Sequence, residues 1–272
     1  MAVYDEIGIG YDATRRADPY ITSRIIHYLD IDDEALYLDA GCGTGNYTVA
    51  IASQSKAVFF GIDESEQMIG TARKKSNAIH WAVGDVCSLP FEDNTFSGAL
   101  CILAIHHFKD LNGAFSEVFR VLSRGWLVIF TSDKRQMEGY WLNEYFPEMM
   151  RNSTAKMPGI TEVTLALQAA GFAGIVTEPY DVKPDLQDRF LYCGKHRPSM
   201  YFDPMIRRGS SGFARFADAD EVAKGLERMS RDIASGRIDE VIESYGNDNG
   251  DYAFVVAEKA RIPGEDRAIR DS

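Results

Sequence analysis

The chain has few cysteines, no long apolar run and no surplus of positive charge, and each shortage removes a class of function. Its four cysteines, Cys42, Cys87, Cys101 and Cys193, stand far apart in 272 residues with no CxxC pair. That pattern supports neither a zinc site nor a disulfide framework, and it fits a reducing, cytoplasmic setting. No apolar stretch approaches the roughly 20 residues that a membrane-spanning helix needs. Met1 to Arg16 also lacks the apolar core of a signal peptide. Lys and Arg number 29 against 41 Asp and Glu, a formal net charge of −12. A polyanion is therefore a poor main partner, because phosphate contacts need clustered cations. Neither nucleic acid nor membrane is expected, and the oligomeric state is left open. Internal repeats and low-complexity tracts are absent too. The apolar and charged fractions, 45% and 26%, are those of an ordinary globular protein.

What is present centres on Leu38-Asp39-Ala40-Gly41-Cys42-Gly43-Thr44-Gly45-Asn46-Tyr47-Thr48. Three alternate glycines between a short apolar run and a helix-like stretch let the backbone turn sharply and approach a ligand closely. A dinucleotide fingerprint would place its third glycine one residue later, where Asn46 stands. No Lys-Ser or Lys-Thr follows, which excludes a phosphate-cradling P-loop.

Around this turn the pattern alternates. Asp18-Pro19 reads as an N-cap and first helical position, with Ile21, Ile25, Ile26 and Leu29 on one stripe. Strands are expected at Ala35–Leu38, Ala57–Ile62, Ile79–Val83, Gly98–Leu103 and Trp126–Thr131. Helices are expected near Asn46–Ser53 and Ser65–Lys75, and after Asp110 through Leu122. Strands alternating with helices imply a parallel sheet covered on both faces. Residues 134–158, rich in aromatics and methionine, read as a helical excursion. Thr161 should cap a helix that Gly171 ends, before a strand Ile175–Val182. A long insertion follows Lys183-Pro184, with a helix Ala219–Ala234 presenting Val222, Leu226, Met229 and Ile233 on one face. Tyr252–Ala257 is the last expected strand, and residues 261–272 read as a polar tail.

Four motifs in order carry a family resemblance. Asp39-x-Gly41-x-Gly43-x-Gly45 is followed by Gly61-Ile62-Asp63, then by Gly84-Asp85-Val86 through Leu89-Pro90-Phe91. Ile105-His106-His107-Phe108 then leads to Glu117-Val118-Phe119-Arg120-Val121-Leu122. Together these resemble the small-molecule branch of the class I S-adenosylmethionine-dependent methyltransferases, which includes the ubiquinone and menaquinone enzymes. The match is good over about residues 35–131 and loose elsewhere. Two positions depart from the pattern: Ser97 where many relatives have Asp, and Gly125-Trp126 where they have Gly-Gly.

The resemblance implies an α/β fold, a Rossmann-like doubly wound seven-stranded sheet with an antiparallel last strand and a helical cap formed by insertions. It divides the chain into an N-terminal helical lid (1–34), a cofactor-binding core (35–133, continued at 159–183 and 251–260), a helical excursion (134–158), a cap (184–250) and a tail (261–272). It implies S-adenosyl-L-methionine as cofactor. Gly41, Gly43 and Gly45 would admit its methionine part, and Asp39 would accept from its ammonium group. Asp63 would accept from both ribose hydroxyls and Asp85 from the adenine amino group, since a carboxylate offers several lone pairs. The Val86 amide would donate to a ring nitrogen, and Leu103, closing the fourth strand, belongs to the same set.

His106 and His107 follow that strand and are the candidates for a general base of near-neutral pKa. Methyl transfer from a sulfonium disperses charge, so alignment in a dry site could suffice without a base. Lys195, His196, Arg197, Arg207 and Arg208 form the densest basic group, and Arg207 and Arg208 are the candidates for holding an anionic acceptor. The expected activity is methyl transfer to a small organic acceptor. Its rivals are methylation of RNA or protein and a non-catalytic sensor or scaffold; a nicotinamide reductase fails on the glycine spacing.

Overall fold

The computed structural model describes residues 11–246 and 248–260. The first ten residues of the expected lid and the expected tail, 261–272, lie outside the described residues. Short helix α1 (Tyr11–Thr14) leads to α2 (Pro19–Leu29), where the Asp18 side chain accepts from the Tyr20 and Ile21 amides as expected of an N-cap. The alternating part then runs β1 (Leu36–Ala40), α3 (Asn46–Ala52), β2 (Val58–Asp63), α4 (Glu66–Lys75), β3 (His80–Val83), β4 (Phe96–Ile102), α5 (Leu111–Val121) and β5 (Leu122–Thr131). The expected strands are all present, with ends that coincide or shift by up to four residues. Leu122 starts β5 and does not belong to the preceding helix.

After β5 come three short helices, α6 (Lys134–Glu138), α7 (Leu142–Tyr145) and α8 (Pro147–Lys156), then α9 (Ile160–Ala170) and β6 (Ala173–Tyr180). The cap of α9 is Gly159, not Thr161; Glu162 reaches back to the Gly159 amide, and Gly171 ends the helix at φ 106°. Pro158 and Gly159 stop the preceding helix and fix the start of α9 two residues earlier than the threonine suggested. The insertion holds a 3₁₀ turn (Pro198–Phe202), α10 (Pro204–Arg208), α11 (Ser211–Phe216), α12 (Ala219–Ser235) and α13 (Arg237–Ser244) before β7 (Tyr252–Lys259).

The sheet order is β3–β2–β1–β4–β5–β7–β6, with β7 antiparallel to both neighbours and the other pairs parallel. Chain direction across the sheet reverses between β1 and β4, the place where open α/β sheets bind ligands. The two departures from the family pattern meet in space. Gly125 has φ 101°, and a Cβ there would strike the Ser97 carbonyl oxygen. The close contact therefore requires the glycine of that pair and leaves Trp126 unconstrained by it.

Both faces of the sheet are covered. One core contains Ile25, Leu29 and Phe130 together with the aromatics of the excursion and the insertion. The other contains Phe115, Val118, Val163 and Leu167 from α5 and α9. Tyr140 stacks on Tyr192 at 3.9 Å and 5°, and Trp141 meets Tyr201 edge-on, so excursion and insertion form one cap. The Glu221 carboxylate accepts from the Glu148 and Met149 amides and ties α12 to the start of α8. The buried residues of α12 are Gly225, Met229 and Asp232, whereas Ile233 is exposed. Asp232 is buried because it accepts from the Tyr145 hydroxyl at 3.0 Å and from Arg237 at 2.9 Å. Val222 and Leu226 pack partly buried against the same core, so the expected face holds except at Ile233, and Asp232 adds a polar contact to it.

Candidate active site

The end of β1 and the end of β2 are held together by the sheet register, Ala40 beside Ile62. The chain then turns through Gly41, Gly43 and Gly45, all at positive φ. The Gly41 and Cys42 amides donate to the Ile62 carbonyl at 2.8 and 3.0 Å. Side chains are excluded here by space as well as by φ: a Cβ on Gly41 would lie 2.7 Å from that of Ala104, and one on Gly45 would enter the Trp81 ring. The turn therefore sits flush against its neighbours and leaves its outer side open.

That open side is a cleft lined by Asp39, Gly41, Gly43, Asp63, Leu103 and His107 among others. Gly45 shapes the turn but is not among the lining residues. Asp39 is 2% exposed; its Oδ2 accepts from the Thr48 hydroxyl at 2.6 Å, and its Oδ1 is buried without a partner. Burial lifts this carboxyl to about 7, and nearby Asp63 adds to the rise. Asp63 accepts from the Gly43 and Ser65 amides, each at 2.9 Å, which aims it at the cleft. A contiguous hollow beyond Asp63 is lined by Gly84, Asp85, Val86, Ala104, Phe108 and Lys109. Asp85 is half-exposed, with an Oδ1 that accepts from the Cys87 amide at 2.9 Å, and this hydrogen bond lowers its pKa. The sequence-predicted cofactor residues thus converge on one groove along the sheet edge.

The described part of the N-terminal segment reaches the groove through Arg15 and contacts its neighbours through Asp12. Asp12 accepts from Thr44 at 2.7 Å and from Lys75 at 2.7 Å. Arg15 pairs with Asp188 through two hydrogen bonds, at 2.6 and 3.0 Å, and Tyr47 donates to the same carboxylate at 3.2 Å. Arg15 and Asp188 both line the cleft. Neither was among the sequence-derived site residues, since both lie in irregular segments that no periodicity marks.

A second cavity adjoins the first and encloses about 720 Å³ of empty space, part of it open to solvent. Its apolar walls include Met137, Tyr140, Met157, Phe190 and Tyr252, and Arg15, Leu103 and His107 belong to both cavities. Leu103 takes a left-handed backbone, φ 52°, held by its amide on the Phe130 carbonyl at 2.7 Å. A non-glycine residue in that region is strained, and the strain sits at the neck between the two cavities.

His106 and His107 lie in a 3₁₀ turn with ring centroids 3.9 Å apart. Burial lowers His106 to about 4, with Arg215 and Arg15 adding to the fall; its Nδ1 is buried without a partner. Burial lowers His107 to about 2, helped by His106 and Arg215. Both rings are therefore neutral at physiological pH, contrary to the near-neutral pKa expected. Arg207 and Arg208 are not brought to the cavity. The Arg207 guanidinium donates to the Tyr201 carbonyl, and Arg208 is exposed on α10. Of the rest of that basic group, Lys195 pairs with Asp251 at 2.7 Å and His196 contacts the Val182 carbonyl. The cations that do line the cavity are Arg15, Lys156 and Arg215.

Residues 38–130 match the family model described as a methyltransferase domain. A solved structure described as a methyltransferase from an antibiotic biosynthesis pathway of Anabaena variabilis is 30% identical, with a TM-score of 0.80. The alignment covers 89% of this chain and 98% of that one. Squalene methyltransferase 1 of Botryococcus braunii is 36% identical over 111 residues, 39% of this chain and 29% of its own length. Demethylmenaquinone methyltransferase of Staphylococcus aureus is 29% identical over 166 residues, 51% of this chain and 68% of its own length. The chain spans less than half the length of the squalene enzyme and of the sterol methyltransferases it also matches. No helix among the described residues is long and apolar enough to cross a membrane. The orphaned Asp39 oxygen, the aimed Asp63 and the flush glycine turn fit an adenosyl amino acid, and with the near full-length relative they fix the family: the chain belongs to the class I S-adenosylmethionine-dependent methyltransferases.

Proposed function

We propose that this protein transfers a methyl group from S-adenosylmethionine to a small organic acceptor seated in the cavity beside His106 and His107. The observation that carries the reading is the neck at Leu103 and His107, through which the cofactor groove opens into a second, largely apolar cavity. The bound cofactor supplies an electrophilic methyl on a positively charged sulfur. Asp39 Oδ1 accepts from its ammonium group, Asp63 from the ribose hydroxyls and Asp85 from the adenine amino group, with the Val86 amide donating beside it. Arg15 is the one formal cation among the described residues lining the groove and faces the methionine carboxylate.

The chain's further contribution is alignment and dryness. The cap aromatics exclude water, and the strained Leu103 fixes the neck through which the reacting atoms must meet. His106, neutral and with Nδ1 unpartnered, accepts a hydrogen bond from an acceptor hydroxyl and orients its lone pair. A proton taken there would sit beside Arg215, so a strong base role is disfavoured. Screening metabolite extracts with methyl-labelled cofactor tests the reading. Label should move to a small molecule with the wild type and much more slowly with Asp63→Ala at low cofactor concentration. Transfer to RNA or protein alone would overturn it in favour of a macromolecular acceptor.

A further inference from the structure

We propose that the acceptor carries an anionic oxyacid group, held at the cavity by Arg215 and Lys156 with the Ser210 hydroxyl. The inference rests on the methyltransferase reading above and names the acceptor's chemical class.

The first observation is a contrast in charge. The chain has 41 Asp and Glu, yet no described carboxylate lines the acceptor cavity. The adjoining cofactor groove, by comparison, is lined by Asp39, Asp63 and Asp188. Arg15, Lys156 and Arg215 all line the acceptor cavity. Arg15 is already matched by Asp188. No described carboxylate pairs with Arg215 or Lys156; the Arg215 guanidinium lies over the Phe216 ring at 5.3 Å and acts electrostatically on His106 and His107. Two cations are thus left facing a cavity in a protein otherwise rich in acid, where partners would be easy to supply.

The second observation is independent of charge. Ser210 is 5% exposed, lines the same cavity, and its Oγ is buried without a hydrogen-bond partner. It precedes α11, but its side chain does not cap that helix. A buried hydroxyl without a partner costs free energy unless a ligand satisfies it. A guanidinium, an ammonium and a hydroxyl converging on one cavity form a donor set matched to carboxylate or phosphate oxygens. α11, which carries Arg215, packs on α8, which carries Lys156, so the two charges come from touching elements. The remaining wall, including Tyr140, Phe190 and Tyr252, suits a flat apolar body attached to the anion.

The test uses three probes of one shape: 2-naphthoate, 2-naphthyl phosphate and the neutral 2-naphthamide. Each is titrated by calorimetry into protein saturated with S-adenosylhomocysteine. At least one anion should bind about tenfold or more tighter than the amide, and the better anion identifies the group as carboxylate or phosphate. Arg215→Gln should remove about tenfold of that preference and Lys156→Gln a smaller part, with amide binding unchanged. Both side chains are exposed at the cavity mouth, so these variants should fold and keep their S-adenosylhomocysteine affinity. Equal binding of anions and amide, no anion binding at millimolar concentration, or an unchanged preference in Arg215→Gln each overturns the clamp. Failure of the wild type to bind S-adenosylhomocysteine would instead overturn the methyltransferase reading, a separate outcome read from the first titration.

Discussion

Replacing Asp39 by Asn should make the ligand-free protein more stable and the cofactor site worse, in the same molecule. Asp39 is buried, accepts one hydrogen bond from Thr48 and leaves its other oxygen unpartnered. Its carboxyl is raised from 3.8 to about 7, mainly by desolvation. An acid whose folded pKa is raised keeps its proton longer in the folded state than in the unfolded one. Stability is therefore fully present below about 3.8 and is lost as pH rises through about 7. With about 1.4 kcal/mol per pKa unit, the penalty at pH 8 is roughly 4 kcal/mol, and at pH 5 it is less than half of that. Asn keeps an acceptor for Thr48 and carries no charge. Urea denaturation of the ligand-free wild type and Asp39→Asn should show the variant ahead by about 2–4 kcal/mol at pH 8, with a smaller gap at pH 5. S-adenosylhomocysteine binding, measured by calorimetry, should weaken at least roughly tenfold in the variant, because the lost partner is an ion–ion contact. Wild-type affinity should also climb with pH up to about 7, as the carboxylate forms without cost to a separate proton donor. A variant no more stable than wild type at pH 8 would refute the reasoning, since the buried carboxylate would then already be compensated.

Asp63→Ala should weaken S-adenosylhomocysteine binding at least about tenfold, each hydrogen bond to a carboxylate being worth about 1.5–3 kcal/mol; unchanged affinity by calorimetry would remove Asp63 from the ribose site. Histidine lowers the protein's acid tolerance in the opposite sense to Asp39. Folded His106 and His107 lie below the usual 6.5, at about 4 and about 2, so stability is held above about 6.5 and falls as pH drops towards 4. His106→Gln should flatten that fall in denaturation curves between pH 7 and 4, and an unchanged slope would contradict the burial of the ring. Turnover of the wild type should likewise show no histidine titration between pH 6 and 9. Arg207→Gln and Arg208→Gln should leave acceptor turnover within about twofold, because neither reaches the cavity; a tenfold loss of kcat/KM with intact cofactor affinity would restore them to the site.

The core was legible because its signals are local. Short apolar runs such as Gly98–Leu103 and Trp126–Thr131 mark strands, which the fold extends to Phe96 and Leu122 at their starts. The glycines at 41, 43 and 45 fix a turn, whereas the carboxylates at 39, 63 and 85 were singled out by the family resemblance. Legibility stopped where a residue's role depends on a distant partner. Asp232 is buried because Tyr145 and Arg237 come to it, a polar member of the face that Val222, Leu226 and Met229 form, while Ile233 at its edge is exposed. Arg207 and Arg208 share an insertion with Lys195, but in α10 the first donates to a backbone carbonyl and the second faces solvent. Arg15, Asp188 and Arg215 sit in short or irregular segments, and only the folded chain shows that they flank the neck. The histidines were found by position, but their depressed pKa values come first from burial, then from Arg215 and Arg15 for His106 and from His106 and Arg215 for His107, and the two arginines lie far from them in sequence.

In the proposed geometry, one groove holds the cofactor along the sheet edge and delivers its sulfur to the neck of the acceptor cavity. A crystal structure of the complex with S-adenosylhomocysteine tests it most directly. The adenine should lie between Asp85 and Phe108, the ribose on Asp63, the amino group on Asp39, and the sulfur beside Leu103 and His107, facing Tyr140 and Arg215. A sulfur turned away from that neck, or an adenosine seated outside the Asp63–Asp85 hollow, would rule this arrangement out.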